Sequence, residues 1–364
     1  MHNLFSLSLN FEMLFEKING QEDVKKRLIQ TVQDSRISHA QLIMGPEGNG
    51  KLALAIAYAQ YINCKNKKNG DACGICPSCI KFNKLEHPDL HFIFPVAKTA
   101  EVKDKPSSKL FLNGWREFLL ENNAYISLTG WYKKIGIENK QALIYTEDCN
   151  DIIRTLGYKS YESEYKVMII WMVEKLYHAA APKILKILEE PPEKTLFLLV
   201  AENQHQIINT ILSRTQIVKI PKISDEAMKS ALKQQEGISD AEIRRITTQS
   251  DGNFSKALQM IQHGEEEKDS FEEFRNWMRL CYAFKIVEIN AFVSSIAKIG
   301  REKQKLFLQR AAGTLRKSIL INYKLKELAR IDDMEKDFMQ KFHPFMNPQN
   351  GHEIGKEIND AIFH

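Results

Sequence analysis

The sequence has no apolar run of 18 residues or more, so no membrane-spanning helix is expected among its 364 residues. Its start, Met1 to Phe15, alternates apolar and polar side chains and lacks both a basic opening and a small-residue cleavage site. A secretory signal is therefore not expected, and a cytoplasmic location is. There is no fixed-period repeat and no low-complexity tract, which sets aside repeat arrays and compositionally biased segments. Excess charge of either sign is also scarce. The balance of 51 Lys and Arg against 46 Asp and Glu leaves +5, with a pI near 8.7. That is compatible with nucleic acid nearby and too mild to demand it. Cysteine is sparse outside one cluster: four of the six fall between Cys64 and Cys79, while Cys149 and Cys281 stand alone. In a cytosolic chain such a cluster favours metal over disulfides. The remainder, 43% hydrophobic and 27% charged, is that of a globular protein long enough for two or three domains.

The most informative stretch is Gly45-Pro46-Glu47-Gly48-Asn49-Gly50-Lys51-Leu52. It follows the P-loop pattern of a glycine, four residues, then Gly-Lys, in which backbone N–H groups wrap phosphate and the lysine reaches the outer phosphates. Gln41 to Met44 reads as a strand before it and Lys51 to Asn63 as a helix after it, so the cradle sits at a helix N-terminus. Gly45, Gly48, Gly50 and Lys51 are the candidate nucleotide contacts. The position that should carry a Mg²⁺-binding hydroxyl is Leu52, which leaves nucleotide binding open.

Cys64, Cys73, Cys76 and Cys79 have the spacing C-x8-C-x2-C-x2-C. Short CxxC turns aim two thiolates at one ion, and four thiolates suit a closed structural Zn²⁺ site. An iron–sulfur cluster is the competing occupant. His87 and His91 are either additional ligands or ordinary loop and strand-end residues. Lys65, Lys67, Lys68, Lys81 and Lys84 surround the cysteines, as a solvated rim or as a contact for nucleic acid.

Residues 97–108 turn polar and read as a surface excursion. Leu110 to Tyr132 is rich in aromatics. The helical spacing of Phe111, Trp115 and Phe118 points to a helix packed on the body, with a base-stacking platform as the alternative. Apolar runs at His91–Phe94, Val167–Trp171, Leu196–Val200 and Ile217–Ile220 predict further strands, alternating with helices at 148–157, 179–190 and 207–213. Together they predict a parallel α/β sheet. Beyond Pro221, residues 224–235, 239–249 and 253–263 predict three short helices. Residues 265–269 read as a solvated linker or helix start. Helical faces continue at Phe271, Phe274, Met278 and Cys281, and at Leu308, Ala311, Leu315 and Ile319.

A P-loop ATPase needs carboxylates at the tip of a second strand to hold Mg²⁺ and activate water. The corresponding tip here is Trp171-Met172, and Glu174 lies past the strand end. With Leu52, three positions that should hold metal or polarise water are apolar.

Several segments resemble the bacterial clamp-loader AAA+ subunits. They are His39-Ala40, the P-loop with its four-cysteine knob, His87-Pro88-Asp89, Leu185-Lys186-Ile187-Leu188-Glu189-Glu190-Pro191-Pro192 and Ile211-Leu212-Ser213-Arg214-Thr215. The likeness covers 15–96 and 135–262, and the last hundred residues by helical character only; 97–134 is an insertion without a family counterpart. The resemblance implies a RecA-like AAA+ module over 1–222, a five-stranded parallel sheet carrying a zinc knob at 64–79 and the insertion at 97–134. It implies a three-helix lid at 223–264 and an all-α collar at 265–364. It maps the family's Asp-Glu pair onto Trp171-Met172 and its P-loop hydroxyl onto Leu52, and its second-domain sensor arginine near Ser255-Lys256. These departures match the non-hydrolysing member of the family and not the ATPase subunit. The implied role is in the DNA polymerase III holoenzyme, assembled with gamma/tau-like and delta-like subunits and acting through them on the sliding clamp and primed DNA. The family's Ser-Arg-Cys motif stands as Ser213-Arg214-Thr215. Arg214 would serve a neighbour's ATP in trans as an arginine finger, the plain alternative being a surface salt bridge. An active gamma/tau-like ATPase and a zinc-containing DNA-binding module are the other functional readings.

Overall fold

The computed structural model describes residues 12–363 apart from 138, 139, 236, 263 and 332. The segment before residue 12, where no secretory signal is expected, lies outside them. Among the described residues no helix is long and apolar enough to cross a membrane. The chain divides into two compact units. One comprises the residues up to Met228 together with Gly252–Ser255; the other comprises Lys229–Asp251 and the chain from Lys256 on.

The first unit is built on five strands, β1 Ala40–Met44, β2 Leu90–Ile93, β3 Lys166–Trp171, β4 Thr195–Ala201 and β5 Gln216–Lys219. All neighbours are parallel, in the order β2-β3-β4-β1-β5. The continuous apolar runs behave as expected of strands covered on both faces: every residue of β1, β3 and β4 is buried. The edge strand β5 is mostly exposed. The helices are α1 Glu22–Gln33, α2 Lys51–Asn63, α3 Pro77–Asn83, α4 Leu112–Glu121, α5 Leu128–Lys134, α6 Thr146–Leu156, α7 Ala181–Glu189 and α8 Asn209–Leu212. α2 is buried at all thirteen positions, so its alanines face other elements and not water. On one side of the sheet Met168, Ile170, Phe197 and Leu199 pack with Cys149 and Ile152 of α6 and Ile184 and Leu188 of α7. Each such aliphatic side chain contributes about 1.5–3 kcal/mol by leaving water.

Strand order positions the site. β4 lies between β1 and β3, with Met44 beside Ala201 and Trp171 beside Val200. The carboxyl ends of all three strands therefore line up, and this edge is where ligands bind in parallel α/β sheets.

The insertion is helical and packed, as its aromatic spacing predicts. Trp115, Phe118 and Trp131 are buried, while Phe111 is only partly covered. Trp115 stacks on Phe94 at 4.2 Å and meets Trp131 and Trp171 at 5.0 Å each. The stretch expected as a surface excursion is exposed through most of 98–105, but it re-enters the body at Pro106-Ser107-Ser108. Ser108 exchanges hydrogen bonds with Phe94, and its N–H donates to Asp148 at 2.6 Å, a tie that polarity alone does not reveal.

Beyond β5 the chain is helical: α9 Asp225–Lys233, α10 Asp240–Ser250, α11 Phe254–Gln262, α12 Gly264–Tyr282, α13 Ile286–Lys298, α14 Arg301–Asn322, α15 Lys326–Ala329, α16 Asp333–Phe342 and α17 Pro348–Phe363. Ser239 and Glu242 form a reciprocal capping box that starts α10. Residues 265–269 belong to the start of α12. The second unit's core gathers Phe274, Phe307, Ala311, Leu315, Met346 and Ile358. The expected face of α12 is displaced: Cys281 is exposed, and Trp277 packs on this core beside Phe292 and Phe307. Met278 and Trp277 share the buried side because the face follows the 3.6-residue period and drifts from the strict i, i+3, i+4 series.

Candidate functional site

The turn from β1 into α2 carries Gly45 to Leu52. Gly48 and Gly50 adopt positive φ, 68° and 85°. At Gly48 a side chain would also meet Asn253 Oδ1 at 1.8 Å, so conformation favours glycine there and anything larger would displace the Asn253 side chain. The groups that would meet phosphate are engaged within the chain. Lys51 is 4% exposed; its Nζ lies 2.8 Å from Glu202 Oε1 and donates to Pro46 O at 3.1 Å. The Lys51 backbone N–H donates to Asn49 Oδ1 at 3.2 Å, and Asn49 Nδ2 donates to Ile220 O at 2.9 Å. Glu47 accepts from Asn253 Nδ2 at 3.1 Å, and burial together with the nearby Glu202 charge holds its carboxyl above its ordinary range. Sequence reasoning does not single out Glu202, Asn49 or Asn253. For Glu202 a signal exists: it is the first residue after a buried parallel strand, the position from which such sheets address ligands.

The positions at which the sequence reading looks for a hydroxyl and carboxylates are closed. Leu52, Trp171 and Met172 are 2%, 1% and 4% exposed, and each packs as core. Glu174 is nearer than its sequence offset suggests, yet it serves as a brace. Its Oε1 accepts the backbone N–H of Glu202 at 2.7 Å and of Asn203 at 3.3 Å, tying the end of β3 to the end of β4. Burial raises its carboxyl, against the pull of those donors.

The four cysteines converge. Cys64, Cys73, Cys76 and Cys79 have all their Sγ atoms within 4.8 Å of one another, and Cys73 and Cys79 are 3.9 Å apart. Four sulfurs about 2.3 Å from one ion form a tetrahedron with edges of about 3.8 Å, so the cluster has the dimensions of a four-thiolate site. Cys64, Cys76 and Cys79 are buried beside Leu14 and Ala72. The backbone N–H of Cys73 donates to Cys64 Sγ, and that of Cys76 to Cys73 Sγ. Burial opposes the Cys76 thiolate, but N–H groups of Cys79 and Lys65 and the adjacent thiols outweigh it and bring Cys76 down to about 6. Burial and the neighbouring Cys76 and Cys64 push Cys79 up. Four thiolates together need a cation.

Neither histidine joins this cluster among the described residues. His87 is 1% exposed. Its Nδ1 accepts the Asp89 N–H at 3.1 Å, and its Nε2 lies 3.0 Å from Ser163 Oγ and 3.2 Å from Glu162. Asp89 in turn accepts the N–H groups of Tyr161, Glu162 and Ser163, so His87-Pro88-Asp89 is the fastener of the loop that leads into β3. His91 is held near 4 by burial and by Lys166, and is neutral at ordinary pH. In the lysine rim, Lys67 donates to the Ile62 and Cys64 carbonyls and Lys81 pairs with Glu162.

Arg214 comes directly after α8 and lies partly exposed at the unit's surface. Its Nε donates to Glu189 Oε1 at 2.6 Å, Nη2 contacts the same oxygen, and Nη1 donates to Thr210 O at 3.0 Å. Ser213 Oγ also accepts from Nη1 at 3.2 Å, while Thr215 Oγ1 donates to Ile211 O. Glu189, at the end of α7, is thus the resting partner of this arginine.

A family model described as "DNA polymerase III, delta subunit" matches residues 20–224. DNA polymerase III subunit tau of Bacillus subtilis is 26% identical over 252 residues, 68% of this chain and 37% of that protein. Subunit delta′ of the same organism is 24% identical over 67% of this chain and 60% of its own length. Subunit delta′ of Haemophilus influenzae is 28% identical over 71% of this chain and 64% of its own length. The chain spans less than two thirds of each of these relatives.

Proposed function

The chain belongs to the DNA polymerase III delta-subunit family, and on that premise we propose that it is a delta-prime-like, non-hydrolysing subunit of a cytoplasmic clamp loader. Relatives named tau and delta′ match at similar identity, so the choice between them rests on the site. The observation that carries it is the burial of Leu52, Trp171 and Met172 as core at the three positions where hydrolysis needs a hydroxyl and two carboxylates. The ion pair of Lys51 with Glu202 supports it further.

In this reading the RecA-like AAA+ module spans 1–222, the lid 223–264 and the collar 265–364. The collar joins gamma/tau-like and delta-like subunits, and through them the chain serves the sliding clamp and primed DNA. Exposed Tyr282, Phe284, Ile286 and Val287, at the turn into α13, support a partner surface there. The four cysteines hold a structural Zn²⁺, which supplies cross-linking of the knob and no chemistry. Arg214 supplies positive charge to ATP bound by a neighbouring subunit. Its exposed pair with Glu189 is of a kind worth about 0.2–1 kcal/mol, weak enough to exchange for a phosphoryl group.

Steady-state phosphate release by the chain alone and by the reconstituted complex tests both halves. The chain alone should be silent with Mg²⁺ and primed DNA. Turnover that Lys51→Ala abolishes would return the gamma/tau-like ATPase. In the complex, Arg214→Ala should lower DNA-stimulated hydrolysis while leaving assembly intact, and Arg214→Lys should rescue it poorly, because lysine lacks the planar fork. An arginine finger is worth roughly 10³–10⁵ at its own site, so the loss is large for one site and partial for the complex. Unchanged rates with Arg214→Ala would leave the subunit a scaffold.

A further inference from the structure

The insertion between β2 and α6 reaches the P-loop. α4 and α5 are joined by a turn in which two consecutive non-glycine residues, Asn123 and Ala124, have φ of 48° and 56°. L-residues resist that conformation, and two in succession are held only where packing demands it. The turn delivers Tyr125, which is 5% exposed. Its ring lies against Gly50, the last glycine before Lys51: a Cβ at Gly50 would come 3.1 to 3.3 Å from Tyr125 Cε1, Oη and Cζ. Its Oη accepts the backbone N–H of Asn19, ahead of α1, at 2.9 Å. Its ring meets Phe254 edge-to-face at 4.8 Å, and the Phe254 N–H donates to Gly48 O at 2.9 Å. One side chain of the insertion thus touches the turn before α1, the glycine loop and the Gly252–Ser255 segment, all within the first unit. The base of the insertion is equally anchored: Trp115 lies on Trp171, at the strand tip where a P-loop enzyme keeps its carboxylates.

We propose that the insertion is a built-in plug of the nucleotide site, with Tyr125 as the residue that holds the P-loop closed around the chain's own groups. Asn49 Oδ1 takes the Lys51 N–H and Glu202 takes the Lys51 ammonium, the two donors a phosphate would use. Tyr125 keeps the loop in the conformation in which those internal partners reach. The plug excludes a nucleoside triphosphate and fixes the conformation of the first unit. The inference rests on residues 45–52 as a former phosphate cradle and is independent of the role of Arg214.

Two measurements on the full chain test it. The first is native-state amide exchange in wild type and Tyr125→Phe, which keeps the ring and removes the hydroxyl. The Asn19 amide should exchange about three- to tenfold faster in the variant, and amides at Gly50 and Lys51 should speed up with it. Unchanged exchange at Asn19 would overturn the hydroxyl's holding role. The second is titration with a fluorescent ATP analogue of wild type, Glu202→Gln and Tyr125→Ala/Glu202→Gln. The double variant should bind at least about tenfold more tightly than Glu202→Gln alone. Equal affinity of those two, or wild-type binding as tight as the double variant's, would overturn the plug. Neither result depends on hydrolysis by neighbouring subunits, so failure here and failure of the clamp-loader reading are distinguishable.

Discussion

Trp115 and Trp131 sit in one aromatic cluster, both fully buried, and differ in how the indole N–H is satisfied. Trp131 Nε1–H donates to the Pro95 carbonyl at 2.9 Å, whereas Trp115 Nε1 is buried and meets no acceptor among the described residues. The same substitution should therefore have different consequences at the two positions. Replacing indole by phenyl leaves a void of roughly 40 Å³ in either case, about 1 kcal/mol at the cost per volume seen for core cavities. Trp131→Phe also strips the Pro95 carbonyl of its donor in a dry setting, adding about 1–3 kcal/mol. Trp115→Phe instead deletes an unsatisfied donor and recovers a similar amount. The expected outcomes are a loss of about 2–4 kcal/mol for Trp131→Phe and anything from no change to a gain of about 2 kcal/mol for Trp115→Phe. Urea unfolding monitored by far-ultraviolet circular dichroism reads this directly, with the two units' transitions fitted separately. With a slope of about 2 kcal/mol/M, the first unit's midpoints should differ by about 1 M or more between the variants. Equal midpoints, or a lower one for Trp115→Phe, would refute the account of the cluster in terms of hydrogen-bond satisfaction. Trp171 packs on Trp115, so the same experiment weighs the joint between insertion and strand tip.

Metal analysis of the purified chain should find one Zn²⁺, and Cys76→Ser or chelation should loosen the knob and lower solubility before any other property changes; iron with visible absorbance would identify a cluster instead. A pH effect is expected at His91. Burial and Lys166 depress its folded value to about 4, below the ordinary 6.5, so its contribution to stability is complete above pH 6.5 and lost as pH falls toward 4. That difference corresponds to about 3 kcal/mol. The stability gap between wild type and His91→Gln should narrow or reverse by that order across this window; a gap that does not vary with pH would show that His91 does not titrate with folding.

Much of the architecture was legible because it is written locally. The strand runs Val167–Trp171 and Leu196–Val200, the alanine-rich helix after Lys51 and the cysteine spacing each depend on residues a few positions apart, and period and turn chemistry report them. The three apolar replacements Leu52, Trp171 and Met172 were visible in the same way, as single positions in a known pattern. One error fell where a contact joins distant segments: the tie of Ser108 to Asp148 pulled the end of a polar stretch inside. The other was local, since the drift of the helical face in α12 put Trp277 on the core and left Cys281 exposed.

Tertiary structure decided what fills the P-loop. Placing β4 between β1 and β3 brings Glu202 to Lys51, 151 residues earlier, and brings Glu174 to the backbone of Glu202. Arg214 finds Glu189 because α7 and α8 pack in one core cluster on the same face of the sheet. Tyr125 reaches Gly50 and Asn19 only because the insertion folds back over the strand tips. Strand order and crossover path set these meetings, and hydrophobic periodicity carries neither. The sequence by itself determined the elements and the apolar residues at 52, 171 and 172; the fold determined which side chains meet Lys51 and the glycine loop.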